Sequence, residues 1–432
     1  MTEAVRYIFN FLTDFYFSGK NENIFAYTCD ENEFEKYKIV IRKSDFFDKT
    51  IFLTQNSIPS LPLKNWENIP LLFGEPTVEK RGETIVLNAD IIASSFFLIS
   101  RYEELINKTR DEHGRSLAKE SLPYRAGFLH RPIVDEYGFA FRKLLRTNGI
   151  QISERKIGIS KIYLTHDVDS LAHYRNLSSV LGAIFHRKEM SVALKTFFGK
   201  IENDPFYTFP FLFEQNKRLR NNNLEQIIFI LIGNKIEKRD DSRYDIFGND
   251  FYQFIDFCDE NQVKIGLHTS YSACQNQKLI EKEKSALEKA TSRIISSNRN
   301  HYLCSKEPQD FKKLINAGIT DDFTMSYADV AGFRLGTSRA VRWINPENLQ
   351  LTPLILHPLT AMECTLSDER YMNLSENQAF EYLKILSDNT AKNNGDLCFL
   401  WHNTSVAQNA SSFHRNLYKK IIEYLCESKV EK

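Results

Sequence analysis

The sequence predicts an α/β protein: a parallel sheet assembled from βα units, closed as a barrel or doubly wound, preceded by a smaller α/β domain. Three observations carry this. Beyond residue 149, short apolar runs alternate with segments of helical period. The polar stretch Thr147–Lys156 separates that alternation from a more mixed leading segment. The 432 residues also suffice for two to three cores at about 150 residues each.

Residues 1–148 are expected to form the smaller domain, with polar loops such as Ser57–Lys64 and two closing helices, Asp90–Leu105 and Pro132–Arg146. Residues 149–432 are expected to form the larger one. Its strands are Lys161–Thr165, Gln226–Ile232, Val263–Leu267, Phe323–Tyr327, Leu349–Leu356 and Asp396–Trp401, short apolar runs of the kind a parallel sheet buries on both faces. Its helices are Ile246–Asn261, the charged amphipathic Asn276–Ser297, and Ser375–Asn394. No GxGxxG or GxxxxGK follows a strand, so nucleotide-binding versions of such folds have no support.

Composition narrows the function classes. The 56 basic and 56 acidic side chains cancel, which argues against a dedicated nucleic-acid binder or a basic membrane-surface protein. The seven cysteines are odd in number and scattered without a CxxC pair, which speaks against a disulfide framework or a cysteine zinc site and fits a reducing compartment. The apolar runs Ile91–Ser100 and Ile227–Gly233 fall far short of a bilayer span, and the first residues do not read as a secretion signal. A cytoplasmic protein without membrane insertion is expected.

The residues that follow the strands carry the chemistry. Lys161–Thr165 runs into His166-Asp167-Val168-Asp169, Val263–Leu267 into His268-Thr269-Ser270, and Asp396–Trp401 into His402-Asn403. The carboxyl ends of parallel strands are the rim where α/β folds build active sites. Asp167 and Asp169, two apart at a strand end, face one side, and adjacent carboxylates repel unless a cation or proton lies between them. One could hold a metal while the other serves as a general base. Singly, such groups more often cap loops or pack in cores. Their joint occurrence at three strand ends points to a hydrolytic site with a divalent metal. His113, His130, His186 and His414 lie in polar helix- or loop-like contexts and point to nothing.

At these residues the chain resembles the polysaccharide deacetylase family (carbohydrate esterase family 4), whose fold is a distorted (β/α) barrel and whose members remove N- or O-acetyl groups from glycans with a divalent metal. Thr165–Asp169 is similar to the family's first motif, which implies Asp167 as catalytic base and Asp169 as metal ligand. His268–Ser272 matches the second motif in part: His268 would ligate, and the family's second histidine is missing. Arg334 in Gly332–Thr337 resembles the arginine that orients the base, and Leu400-Trp401-His402 resembles the last motif, which makes His402 the general acid. Ser100–Glu104 and Gly127–Pro132 resemble the leading domain of a two-domain bacterial subgroup.

A tetrahedral zinc site with a water needs three protein ligands. Asp169 and His268 supply two, His301 is the candidate third, and His357 ranks below it. Glu363 could hold His402 cationic. The resemblance thus implies a metal-dependent glycan or amino-sugar deacetylase of bacterial surface-polysaccharide metabolism, with zinc first and cobalt or iron as alternatives. The competing reading is an inactive, carbohydrate-binding or scaffolding relative with an incomplete metal site. The sugar, its linkage and the oligomeric state stay open. Residues 1–148 could shape a substrate groove, mediate dimerisation or cover the barrel.

Overall fold

The computed structural model describes residues 2–14, 24–175, 177–185, 190–219, 223–233, 237–242 and 244–427; His186 lies outside them. In the N-terminal region, β1 (Phe25–Thr28) and β2 (Ile39–Arg42) precede a short hairpin of β3 (Lys64–Trp66) and β4 (Ile69–Leu71), then β5 (Gly74–Arg81) and β6 (Thr84–Ala89). The small sheet has the order β1-β2-β6-β5, parallel except for β5 against β6. Ile39, Ile41, Ile85 and Leu87 pack with the helices Glu3–Thr13, Ile91–Ile99 and Ile133–Thr147.

The helix expected over Asp90–Leu105 breaks in two. Asp90 caps its start, accepting from the Ala93 N–H at 2.9 Å. It ends at Ile99 because Arg101 takes a left-handed conformation (φ 63°), and a short helix Glu103–Ile106 follows. Tertiary demand on the Arg101 side chain, described below, overrides a sequence that is helical by period.

The larger sheet contains β7 (Lys161–Val168), β8 (Leu224–Leu231), β9 (Lys264–Thr269), β10 (Ser297–Asn300), β11 (Asp321–Asp322), β12 (Val341–Ile344), β13 (Leu351–Leu356), β14 (Ala361–Met362) and β15 (Asp396–Leu400). Their order is β12-β13-β11-β10-β9-β8-β7-β15-β14, and every neighbouring pair is parallel except β12 with β13. The sheet is curled, with helices such as Asn249–Glu260, Gln277–Thr291 and Glu376–Lys392 in its connections.

Alternation along the strands sorts side chains to two faces. Ile162, Leu164, Val168, Ile228, Ile230, Leu267, Leu397 and Phe399 belong to the main core. Tyr163, Ile227, Phe229, Cys398 and Leu400 form a second buried cluster on the inner face, with Phe323 and Leu303. Gly266 belongs to the inner set: a Cβ there would meet the Phe229 ring at 2.6 Å, so only glycine lets β8 and β9 lie as they do.

Two expected elements differ. The charged helix, expected to run to Ser297, stops at Thr291, with Ser292 left-handed (φ 55°), and Ser297–Asn300 is a strand. The strand expected over Phe323–Tyr327 is not formed there; a two-residue strand, Asp321–Asp322, precedes it. The Asp322 carboxylate takes the N–H and hydroxyl of Thr324 (3.0 and 2.8 Å), and this local turn draws the backbone out of the sheet.

The N-terminal region and the larger sheet share one continuous core. Asp135 accepts from Thr337 Oγ1 at 2.6 Å and from Ser338 N and Oγ at 2.8 Å, all in buried surroundings. Among the described residues no helix is long and apolar enough to cross a membrane.

Candidate metal centre

The inner face of β7 carries Tyr163, Thr165, Asp167 and, one residue past the strand, Asp169. The same parity places His268 beyond Gly266 on β9, His301 beyond Arg299 at the end of β10, and His402 beyond Leu400 after β15. Registers bring these ends together: Leu231 of β8 pairs with His268, and His268 with Arg299. Strands apart in the chain thus deliver Asp167, Asp169, His268, His301 and His402 to one mouth.

Asp169 is the hub. Its Oδ1 lies 3.3 Å from His268 Nε2 and 3.5 Å from His301 Nε2, and its Oδ2 lies 3.8 Å from His402 Nε2. Burial pushes the Asp169 carboxyl up, but the imidazoles of His301 and His268 outweigh it and hold it well below the usual carboxylate range. Burial pulls His301 down, and Asp169 and Asp240 more than reverse this, lifting it to about 9.

Asp169, His268 and His301 each offer a ligand atom, all within 4.8 Å of one another. The Oδ1 of Asp169 and the Nε2 of His268 are buried, and neither completes a hydrogen bond. The other ring nitrogen of His268 donates to the Arg299 carbonyl at 2.9 Å, which leaves a lone pair on Nε2. One carboxylate oxygen and two imidazole nitrogens, two of the three without a completed hydrogen bond, suit a divalent cation of the zinc class. Ser272 is engaged elsewhere: its hydroxyl lies 3.5 Å from Ser270 Oγ and its backbone N–H donates to Asp240 Oδ2 at 3.1 Å.

Asp167 lies beside this trio, with Oδ2 3.5 Å from His268 Nε2. Its Oδ1 accepts from Arg299 Nη1 at 2.9 Å. Arg299 is fully buried; it also donates to Thr165 Oγ1 (2.7 Å) and the Phe323 carbonyl (3.0 Å), and its guanidinium carbon sits 4.6 Å from the centre of the Phe229 ring. Across the mouth, Glu363 Oε1 accepts from both Nδ1 (2.7 Å) and the backbone N–H (2.9 Å) of His402. Burial raises Glu363, but His402 outweighs it and draws the carboxyl down to about 2, while Glu363 lifts His402 well above its ordinary value against the opposing effect of burial. Glu363, Cys364 and His402 also approach closely enough to hold an ion, but the two bonds from His402 mark Glu363 as its orienting partner.

The assignment of Arg334 is corrected. Its Nε and Nη2 pair with Glu104 (3.0 and 2.8 Å) and its Nη1 donates to the Ser326 carbonyl (2.8 Å), so the guanidinium is held at Glu104 and not at Asp167. The guanidinium that does bond Asp167 is that of Arg299. The sequence presents Asn298–Tyr302 only as the setting of His301; its place in a strand is what the pattern does not show, and strand parity is what aims Arg299 inward. His357, the lower-ranked ligand, is also elsewhere: its Nε2 contacts Asp321 Oδ1 at 2.8 Å and its ring stacks on Phe323 at 4.2 Å.

Comparison with known proteins adds the following. Residues 1–149 match the model of a family of unknown function, DUF7033, about a third of the chain. No curated protein matches. Among solved structures, a candidate polysaccharide deacetylase from Mycobacterium smegmatis is similar at 14% identity and a TM-score of 0.40, over 64% of this chain and 87% of that one. A mutant of a CE4 family pseudoenzyme with restored enzymatic activity is similar at 10% identity and a TM-score of 0.30, over 64% of this chain and 66% of that one. A further mutant of a CE4 family pseudoenzyme gives 11% and 0.30 over 64% and 68%.

Proposed function

We propose that the chain is a metal-dependent hydrolase that removes acetyl groups from an N-acetylated or O-acetylated glycan or amino sugar. The observation that carries this is the convergence of Asp169, His268 and His301, with two buried ligand atoms that complete no hydrogen bond. These three residues would hold the ion, zinc first and cobalt or iron as alternatives. A bound divalent cation supplies a more acidic water and a polarised acetyl carbonyl.

The chain's own residues supply the proton transfers. Asp167 accepts a proton from the attacking water, its Oδ2 turned to the site because Arg299 fixes Oδ1. His402 donates from Nε2 to the departing amine or alcohol; its bond to Glu363 fixes Nδ1 and favours the imidazolium. The two groups thus have opposite roles set by their partners, one a carboxylate held by a guanidinium and the other an imidazole held by a carboxylate. In bacterial surface-polysaccharide metabolism, a soluble or cell-surface glycan would meet this mouth.

The test is acetate release from N-acetylated chito-oligosaccharides and from O-acetylated xylan, by zinc-loaded wild type and by Asp167→Asn. We expect turnover by the wild type and a fall of about 10³-fold in the variant, with zinc retained. Undiminished turnover in the variant rejects Asp167 as base. No turnover on acetylated sugars, or no zinc taken up by the wild type, rejects the deacetylase reading and leaves a carbohydrate-binding relative or another hydrolase.

A further inference from the structure

We infer that the N-terminal region is a working part of the metal centre: Arg101 and Arg115 are positioning residues that clamp the turn after His301 and so hold its imidazole against Asp169. The inference rests on the reading of Asp169, His268 and His301 as ligands.

His301 is the last group delivered by β10, and the chain turns sharply behind it. Tyr302 (φ 60°) and Leu303 (φ 51°) are both left-handed, a conformation that residues with a Cβ adopt at a cost. Two such residues in succession persist only where surrounding contacts over-determine them. Local bonds exist, from Cys304 N to the His301 carbonyl (3.1 Å) and from Ser305 N to the Leu303 carbonyl (3.0 Å). Further restraint comes from the N-terminal region.

Arg115 Nη1 donates to the Tyr302 carbonyl at 2.7 Å. Arg101 grips the far side of the turn, with Nη1 to Ser305 Oγ at 2.7 Å and Nη2 to the Ser305 carbonyl at 2.9 Å. Both guanidinium groups are buried and anchored behind, Arg115 on Asp111 at 2.7 Å and Arg101 on Glu104, which also holds Arg334. The left-handed conformation of Arg101 itself directs its side chain across the interface instead of along a helix. A carbonyl fixed one residue after a ligand restrains the backbone that aims that ligand's Cα–Cβ bond, and small errors there cost binding geometry. Of the roles open for residues 1–148, this one is specific to the site. His301 lies outside the motifs that supply Asp169 and His268, and its turn is held from outside the larger sheet.

The experiment uses the full chain: Zn²⁺ titration against a chromophoric chelator and the visible absorption of the Co²⁺ form, for wild type, Arg115→Ala, Arg115→Lys and Arg115→Ala with Tyr302→Asn. Arg115→Ala should bind zinc about 10- to 100-fold more weakly, as for lost partners that orient a ligand, with an altered Co²⁺ spectrum. Adding Tyr302→Asn should recover part of that loss, because asparagine enters the left-handed region more readily. If Arg115→Ala does not fold, Arg115→Lys, which cannot serve Asp111 and the Tyr302 carbonyl as a fork does, is read in the same way. Wild-type affinity and spectrum in the folded variant overturn the clamp and leave the ligand reading standing. A wild type that takes up no zinc overturns both.

Discussion

The two mouths of the larger sheet are lined by similar residue types and differ in how those residues are paired. At the amino ends of β7 to β11, an open cavity is lined by Lys161, Glu225, Lys264 and Asp321 and by His357, which follows β13, among others. There Glu225 meets Lys161 at 2.7 Å and Lys264 at 2.9 Å, and Asp321 meets His357 at 2.8 Å. Each of these carboxylates has a basic partner. At the carboxyl ends, Asp169 faces three imidazoles at 3.3–3.8 Å and, among the described residues, pairs with no lysine or arginine; its Oδ1 and His268 Nε2 are buried without a well-formed hydrogen bond. A fold can leave such atoms unsatisfied where something other than its own side chains completes them. The pairing, not the presence of charges, is what distinguishes a site from a solvated rim.

Breaking each mouth should have unequal effects. Asp169→Ala removes a proposed ligand, so zinc affinity should fall by more than about 100-fold, beyond what loss of an orienting partner costs, and acetate release should vanish with it. Equilibrium dialysis checks this. Asp321→Asn at the other mouth should leave zinc affinity unchanged and lower stability by only about 0.5–1 kcal/mol, because that pair is partly exposed. A loss of zinc in Asp321→Asn would erase the distinction between the two mouths.

A third variant sharpens the contrast away from both mouths. Glu103 is buried in the N-terminal region, where burial raises its carboxyl to about 7 despite two contacts with the Leu122 N–H. The folded chain therefore binds this proton more tightly than the unfolded chain, and the contribution to stability falls as pH rises from about 4.5 through 7. Glu103→Gln should gain relative to wild type across that window, by about 1–3 kcal/mol at pH 8 and near zero at pH 4. Urea unfolding at the two pH values measures it; a gain that does not depend on pH would contradict the assignment.

Much of the candidate site was legible because it depends on local pattern. An apolar run ending in Asp-x-Asp announces a buried strand with two carboxylates on one face, and the runs before His268 and His402 do the same for the imidazoles. Glu363 was also reachable, as an acid shortly after the strand Leu351–Leu356. What was not legible depends on pairing across the fold. Arg334 sits in a motif-like setting, yet Glu104, 230 residues away, claims it. Arg299 looked like a neighbour of His301 until its strand gave it a direction. The break at Arg101 and the diversion at Thr324 arise from side-chain bonds that no periodicity contains. The small sheet of the N-terminal region was not read strand by strand, since β1, β2 and β6 are only four to six residues long among polar loops.

The most direct measurement is anomalous diffraction at the zinc edge from crystals grown with Zn²⁺. The account predicts one strong peak within bonding distance, about 2.0–2.2 Å, of Asp169, His268 and His301, with Asp167 and His402 on either side of it. A peak at Glu363 and Cys364, a peak at the opposite mouth, or no peak in ordered protein would contradict it.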